Sequence, residues 1–135
     1  MEGANIWATA RLPDGDGRLA EVSVNGFGIT CDVPVDPQPE PGGPTPMGLL
    51  AASLAACTAM TARTFLQRWR AAPGGVNVRV AVAAGSPPAL YRELHVESTI
   101  GPELREQLAA AVDSSPVTVL LRDSITITTV LRTGA

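Results

Sequence analysis

The chain contains no lysine, one histidine, two cysteines and few aromatic residues, which make up 4% of its 135 residues. All ten basic residues are therefore arginines, and the formal net charge is −3. An acidic chain without a basic cluster is not typical of nucleic-acid-binding proteins, so no nucleic-acid partner is predicted. The lone histidine, His95, lies between Glu93 and Glu97 in an alternating segment, which indicates a solvated strand face. One histidine and two distant cysteines make no metal-ligand pattern, so neither a metal nor a cofactor is predicted.

The sequence also lacks the features of membrane and secreted proteins. Its one apolar run, residues 47–60, is rich in alanine, serine and threonine and is shorter than the ~20 residues of a membrane span. The first fifteen residues show no basic stretch followed by an apolar one, as a signal peptide would. Two cysteines without such a signal favour reduced thiols over a disulfide framework. We therefore expect a cytoplasmic protein with no membrane partner.

Apolar periodicity predicts a single α+β domain over residues 1–135. Alternation predicts strands over residues 5–11, 18–24, 27–33, 76–84, 90–100 and 126–131, with a hairpin turn at Asn25-Gly26. Cap residues followed by proline predict helices beginning at Pro46, Pro102 and Pro116. A connector at residues 34–45 contains five prolines, which exclude a helix or a central strand there.

The helix that begins at Pro46 is the predicted centre of the fold. It is apolar or small on almost every side from Met47 to Met60, which predicts burial on most faces. One thin sheet per chain is too small to cover such a helix. We therefore expect antiparallel sheets around a long buried central helix, and an intertwined homodimer in which the helices of two chains pack together.

The segment that enters this helix, GGPTPMGLLAASLAACTAMTARTFLQRW at residues 42–69, resembles the region around the reactive cysteine of the OsmC/Ohr family of osmotically induced and organic hydroperoxide resistance proteins. The hairpin GFGITCDVP before it and the segment IGPELREQLAAAVDSSPVTVLLRDSITITT after it are similar to further parts of the same family. The resemblance covers roughly residues 5–131. It implies an OsmC-like fold, a tightly interwoven dimer with sites at the interface, and thiol-dependent reduction of hydroperoxides.

The resemblance also implies site residues. Family members use two cysteines, with an arginine and a carboxylate that keep the first cysteine ionised. Cys57 matches the first cysteine, and Arg18 is the nearest match for the arginine, with Arg11 as the runner-up. Ser115 stands where the second cysteine would be and cannot form a disulfide. Met47 and Gly48 hold the positions at which the carboxylate would follow the turn proline.

Cys57 lies about three turns into its helix, where the N-terminal dipole no longer helps a thiolate. Its reactivity therefore depends on an arginine from elsewhere in the protein. We predict a weak thiol peroxidase in oxidative-stress defence, whose partners are itself, a hydroperoxide substrate and an external thiol or dithiol reductant. The external reductant is required because Ser115 cannot resolve a sulfenic acid.

Two other interpretations remain open. The first is a degenerate OsmC-like dimer without peroxidase activity, in which Leu50, Leu54 and Met60 line a pocket for a small apolar molecule together with Leu49 and Phe65. The second is nucleophilic chemistry at Ser53 or Ser115, which would require His95 to fold against one of them. Cys31 is predicted to be a half-buried strand residue, and a Cys31–Cys57 pair has no spacing argument in its favour.

Overall fold

A computed structural model describes residues 3–33, 40–69, 74–123 and 125–134. The elements in chain order are β1 (Ala8–Arg11), β2 (Ala20–Val24), β3 (Phe27–Cys31), α1 (Pro46–Arg68), β4 (Val76–Ala83), β5 (Ala89–Val96), α2 (Pro102–Asp113) and α3 (Pro116–Arg122). The chain divides into two units, Met1–Ala51 and Ala52–Ala135, here called the first and second units. The α+β class with antiparallel sheets is confirmed.

The first unit holds a three-stranded antiparallel meander in the order β1-β2-β3. Asn25 and Gly26, which form the turn between β2 and β3, have φ angles of 47° and 90°. Both lie in the left-handed region that a tight hairpin turn of this type requires, and this is why Asn-Gly predicts the turn correctly. The predicted connector lies partly outside the described residues, since residues 34–39 are not among them.

The chain enters α1 through a close backbone contact and a side-chain cap. A Cβ atom on Gly43 would collide with the carbonyl oxygen of Thr30, so only glycine allows this approach to β3. The Thr45 hydroxyl accepts a hydrogen bond of 2.9 Å from the Gly48 amide, and Pro46 is the first helical residue. The cap and the proline start predicted from the sequence are confirmed.

In the second unit α1 packs against α2 and against the inner face of the β4–β5 hairpin. The apolar core is formed by Ala62, Leu66, Leu108 and Val112, with half-buried side chains from both strands around it. Alternate residues of β5 point inward and include Leu90, Arg92 and Leu94, as the alternation predicts. The short α3 follows α2 after a two-residue break.

The prediction that α1 is buried on most faces is wrong for the single chain. Only one stripe, repeating every four residues, is buried: Leu54, Thr58, Ala62 and Leu66. Met60 on another face is 70% exposed. Among the described residues of the second unit, one hairpin and two short helices cover one side of α1. By length and composition alone α1 could cross a membrane, a test that the core helix of a soluble protein also passes.

The strand predicted over residues 126–131 does not form within the chain. Residues 125–134 have no regular secondary structure, and Ile127 and Leu131 are 82% and 84% exposed. A strand needs a neighbouring strand to accept and donate its backbone hydrogen bonds. Neither of the two described sheets includes this segment, so its strand-like alternation has no partner here.

Candidate functional site

Cys57 lies near the middle of α1, and its side chain is half-buried. It opens into a groove of about 750 Å³ between α1 and the α2–α3 region. The groove, called the Cys57 groove below, is lined by Ser53, Ala56, Cys57, Met60, Thr61, Thr64, Phe65, Arg68, Ala111 and Pro116. Its walls are mostly apolar or carry hydroxyl groups. Its single charged lining residue among the described part of the chain, Arg68, is eleven positions beyond Cys57, or about 16 Å along the helix.

Ser115 is buried beneath the start of α3, with 2% of its surface exposed. Its hydroxyl lies 2.7 Å from that of Thr118, and either oxygen can donate in that contact. The next residue, Pro116, contributes to the wall of the Cys57 groove. A hydroxyl at this position enters a polar network and has no redox chemistry of its own.

Arg92 is the centre of that polar network. Its Nη1 donates to the hydroxyls of Thr58 at 3.0 Å and of Thr118 at 2.8 Å, and its Nη2 donates to Asp113 at 2.9 Å. The side chain is 17% exposed, so most of its length is out of water. Thr58, which directly follows Cys57, also donates to the Leu54 carbonyl at 2.7 Å and is fully buried. The network fixes the side of α1 next to the one that carries the thiol.

Arg18 lies in the first unit, two residues before the start of β2, and forms an ion pair with Asp32. Its Nε donates to Asp32 Oδ1 at 2.8 Å, while 37% of the arginine side chain stays exposed. Arg11, the runner-up, is exposed on β1 across from Glu21 of β2. Cys57 belongs to the second unit, so the structure places the two predicted catalytic residues in different units.

Asp32 has both carboxylate oxygens occupied. Oδ1 accepts from Arg18 and from the Val33 amide at 2.8 Å, and Oδ2 accepts from the Gly42 amide at 2.8 Å. The Gly42 amide and the Arg18 guanidinium lower the pKa of this carboxyl below its usual value, although burial acts in the opposite direction. The Asp32 amide in turn donates to the Pro44 carbonyl at 3.0 Å. One buried carboxylate therefore holds an arginine and the chain on both sides of residues 34–41.

Of the three residues predicted to line an apolar pocket, Met60 and Leu54 line two different cavities among the described residues. Met60 lines the Cys57 groove. Leu54 lines a separate cavity of about 350 Å³ together with Leu90, Arg92 and Thr118. Leu50 is half-buried on the part of α1 that belongs to the first unit. Six positions separate Leu54 from Met60, and at 100° per residue they point about 120° apart around the helix.

The positions of the remaining candidate residues are explained by burial, strand pairing or their place in a helix. Cys31 is 5% exposed at the end of β3, more buried than predicted. His95 is exposed on β5 opposite Asn77, as the alternation predicts. Met47 and Gly48 are exposed in the first turn of α1, which has no acidic residue. Within the described residues no three His, Cys, Asp or Glu side chains are grouped as metal ligands.

The polar contacts centred on Asp32 and Arg92 were not predicted from the sequence. Arg92 carries a signal, because it is a cation on the inward face of an otherwise apolar strand, and such a residue needs a buried partner. Asp32 carries a weaker signal as an acidic residue at the end of a strand, just before a proline-rich connector. Apart from the adjacent Val33 amide, the partners of these two side chains lie between 10 and 34 positions away, so local sequence patterns do not predict them.

The chain is similar in sequence to a known protein family. The sequence matches the family model described as OsmC-like protein over residues 38–130, more than half of the chain. No curated protein matches the chain.

Solved structures of similar fold include three bacterial proteins. The OsmC-like protein of Mycoplasma pneumoniae has a TM-score of 0.67 at 19% identity, covering 89% of each chain. The organic hydroperoxide resistance protein OsmC of Legionella pneumophila has a TM-score of 0.64 at 21% identity, covering 90% of this chain and 92% of that one. The organic hydroperoxide resistance protein OhrB of Bacillus subtilis has a TM-score of 0.61 at 17% identity, covering 88% and 91%. Together with the match to the family model, the helix that carries Cys57 and the sheets before and after it identify this chain as a member of the OsmC-like protein family.

Proposed function

We propose that this protein reduces organic hydroperoxides with Cys57 as its single peroxidatic cysteine. The observation that carries the proposal is the position of Cys57, half-buried in a groove with mostly apolar walls. Such a groove accommodates the apolar part of an organic peroxide beside the sulfur. The Legionella and Bacillus proteins of similar fold are organic hydroperoxide resistance proteins, which supports the same class of substrate.

The proposed reaction has two stages. The Cys57 thiolate attacks the outer oxygen of the hydroperoxide, so that an S–O bond forms while the O–O bond breaks. Sulfur is oxidised by two electrons to a sulfenic acid, and the alkoxide takes up a proton and leaves as the alcohol. An external thiol then displaces water from the sulfenic acid to form a mixed disulfide, and a second thiol releases Cys57 and a low-molecular-weight disulfide.

Arg18 is the proposed cation for the thiolate, a role carried over from the resemblance at this position. Ser115 takes no part in the redox steps, because its hydroxyl has no accessible oxidation state that could resolve a sulfenic acid. The enzyme therefore depends on an external thiol or dithiol, and we expect it to be weaker than a family member with two cysteines. We place this activity in oxidative-stress defence in the cytoplasm.

We further propose that the protein acts as an intertwined homodimer. Two observations support it: the uncovered face of α1 that includes Met60, and the exposed alternating segment at residues 125–134. An exposed apolar surface of this kind is typical of a surface that another chain covers. A strand-like segment without a neighbour can complete its backbone hydrogen bonds on the sheet of a second copy.

A second function, binding of a small apolar molecule without peroxidase chemistry, is favoured by one observation. Among the described residues the Cys57 groove has no charged lining residue except the distant Arg68, so nothing in its wall stabilises a thiolate. In this case the thiol is one more small apolar lining group.

A steady-state assay separates the two functions. Purified protein is mixed with an organic hydroperoxide and a monothiol or a dithiol, and loss of peroxide is followed for the native chain and for Cys57→Ser. The peroxidase proposal predicts thiol-dependent turnover that the substitution abolishes. If the native chain consumes no more peroxide than Cys57→Ser with either reductant, the peroxidase proposal is wrong and the binding function is favoured.

A further inference from the structure

A cavity of about 350 Å³ lies between α1, β5 and α3, entirely within the second unit. It is called the Leu54 cavity below, and it shares no lining residue with the Cys57 groove. Cavities that hold small molecules begin at roughly 300 Å³. Its apolar lining residues are Leu54, Pro88, Leu90 and Leu121. The size and the apolar lining therefore suit the hydrocarbon part of a small ligand.

Two arginines are the charged lining residues of this cavity in the described part of the chain. The side chain of Arg92 is 17% exposed and that of Arg122 is 58% exposed, so one arginine lies deeper than the other. Both donate to Asp113: Arg92 Nη2 to the carboxylate Oδ1 at 2.9 Å, and Arg122 Nη1 to the backbone carbonyl at 3.2 Å. The shared contact holds the two guanidinium groups near each other, and two neighbouring positive charges attract an anion.

The positive charge is not neutralised by acidic residues in the cavity wall. The carboxylates that contact these arginines belong to Asp113 and Asp123, which are mostly exposed and do not line the cavity. The other partners of Arg92 are the neutral hydroxyls of Thr58 and Thr118. Its hydrogen bonds to described residues use Nη1 and Nη2, which leaves the Nε–H to a further acceptor. A cation beside apolar walls favours a ligand that supplies an anionic acceptor.

We propose that the Leu54 cavity binds a small carboxylic acid as its anion, with the carboxylate against Arg92 and Arg122 and the hydrocarbon chain against the leucines. A carboxylate accepts two N–H groups of one guanidinium in parallel, which a neutral hydroxyl does not do. The site is independent of the proposed function, because no step of peroxide reduction involves its lining residues. Failure of one proposal therefore leaves the other unaffected.

The test is a titration of the protein with hexanoate, followed by the methyl NMR signals of isotope-labelled leucines. Hexanol has the same chain without the charge, and acetate has the charge without the chain, so these are the matched control ligands. We expect hexanoate to shift the methyl signals of Leu54, Leu90 and Leu121, with a dissociation constant of about 1 mM or lower. Both control ligands should bind at least about tenfold more weakly, because each lacks one half of the interaction.

Three variants assign the binding to this cavity, and circular dichroism checks that each is folded. Arg122→Gln removes the charge of the more exposed arginine and should weaken hexanoate binding about three- to tenfold, the range expected for one lost hydrogen bond to a charged group. Leu121→Trp fills the cavity and should abolish binding. Arg105→Gln removes a charge from the exposed face of α2, outside this cavity, and should bind like the native chain. Should Leu121→Trp not fold, Arg122→Glu reverses an exposed charge and should weaken binding more than Arg122→Gln.

Several results would overturn the inference. Hexanoate that leaves the three leucine signals unshifted well above the expected dissociation constant does not bind in the cavity. Hexanol that binds as tightly as hexanoate shows that the arginines do not select a carboxylate. If Arg122→Gln binds like the native chain, or Arg105→Gln loses as much affinity as Arg122→Gln, the charge of the cavity does not determine binding. A folded Leu121→Trp with native affinity places the ligand elsewhere.

Discussion

Arg92 on β5 donates a hydrogen bond of 3.0 Å to the hydroxyl of Thr58, the residue that follows Cys57 on α1. The same guanidinium donates to Thr118 on α3 and to Asp113 at the end of α2. One inward-facing arginine therefore connects four elements of the second unit. The network also includes Ser115, so the position at which the resemblance places a second cysteine has a structural task in this chain.

Replacing Arg92 with methionine should destabilise the protein by about 1–3 kcal/mol, because it leaves buried hydroxyls and a carboxylate without their donor. Urea unfolding followed by circular dichroism measures the change. Arg105→Met on the exposed face of α2 is the matched control and should change the free energy of unfolding by less than about 0.5 kcal/mol. Equal effects of the two substitutions would show that the Arg92 network contributes nothing specific to stability.

The Arg18–Asp32 pair should make stability depend on acid pH in a defined direction. The pKa of Asp32 is lowered in the folded chain, so the ionised carboxyl stabilises the fold at neutral pH. That contribution is present above the unfolded-state pKa of 3.8 and is lost as the pH falls below it through the lower folded-state value. Asp32→Asn should be less stable than the native chain at pH 7, with a difference that shrinks in urea titrations carried below about pH 4. A difference that is constant from pH 7 to pH 3 would contradict this linkage.

Much of the fold could be predicted from the sequence, because local signals decide it. Asn25-Gly26 sets the hairpin, Thr45-Pro46 begins α1, and alternation over residues 76–96 gives the β4–β5 pair. These features depend on residues within a few positions of one another. The hydrophobic character of α1 was also readable from the sequence.

The extent to which α1 is covered could not be predicted in the same way. The same apolar composition suits a helix covered by its own chain and one covered by a second chain. The segment at residues 126–131 has the same ambiguity, because alternation predicts a strand without naming its partner. The distant partners of Arg92 and Asp32 are brought close only by the tertiary fold, and hydrophobic periodicity does not predict them.

The proposed dimer predicts that the exposed segment near the C-terminus contributes to self-association. Ile127→Lys places a charge on a side chain that is 82% exposed in the single chain and should weaken the dimer by tenfold or more. Sedimentation equilibrium over a dilution series measures the dissociation constant. Thr128→Lys, on the next position and the opposite side of an extended chain, is the control and should have a smaller effect. A native chain that sediments as a monomer at micromolar concentration would contradict the dimer itself.

The two cysteines should differ in their access to reagents. Cys57 is half-buried at a groove, whereas Cys31 is 5% exposed at the end of β3. In the folded chain a thiol reagent should therefore modify Cys57 faster than Cys31. The substitution Cys57→Ser should remove this fast phase. Peptide mapping after partial modification identifies the residue. Fast modification of Cys31 would mean that its burial is not maintained in solution.

The most direct test of the central claim is the reaction of reduced protein with one equivalent of an organic hydroperoxide in the presence of a sulfenic-acid trap. Intact mass is recorded for the native chain and for Cys57→Ser, with circular dichroism to show that both are folded. The proposed function predicts one trapped adduct on the native chain, mapped to Cys57, and none on the variant. If the native chain forms no adduct while folded, or forms it at Cys31, then Cys57 is not peroxidatic and the enzymatic proposal is wrong.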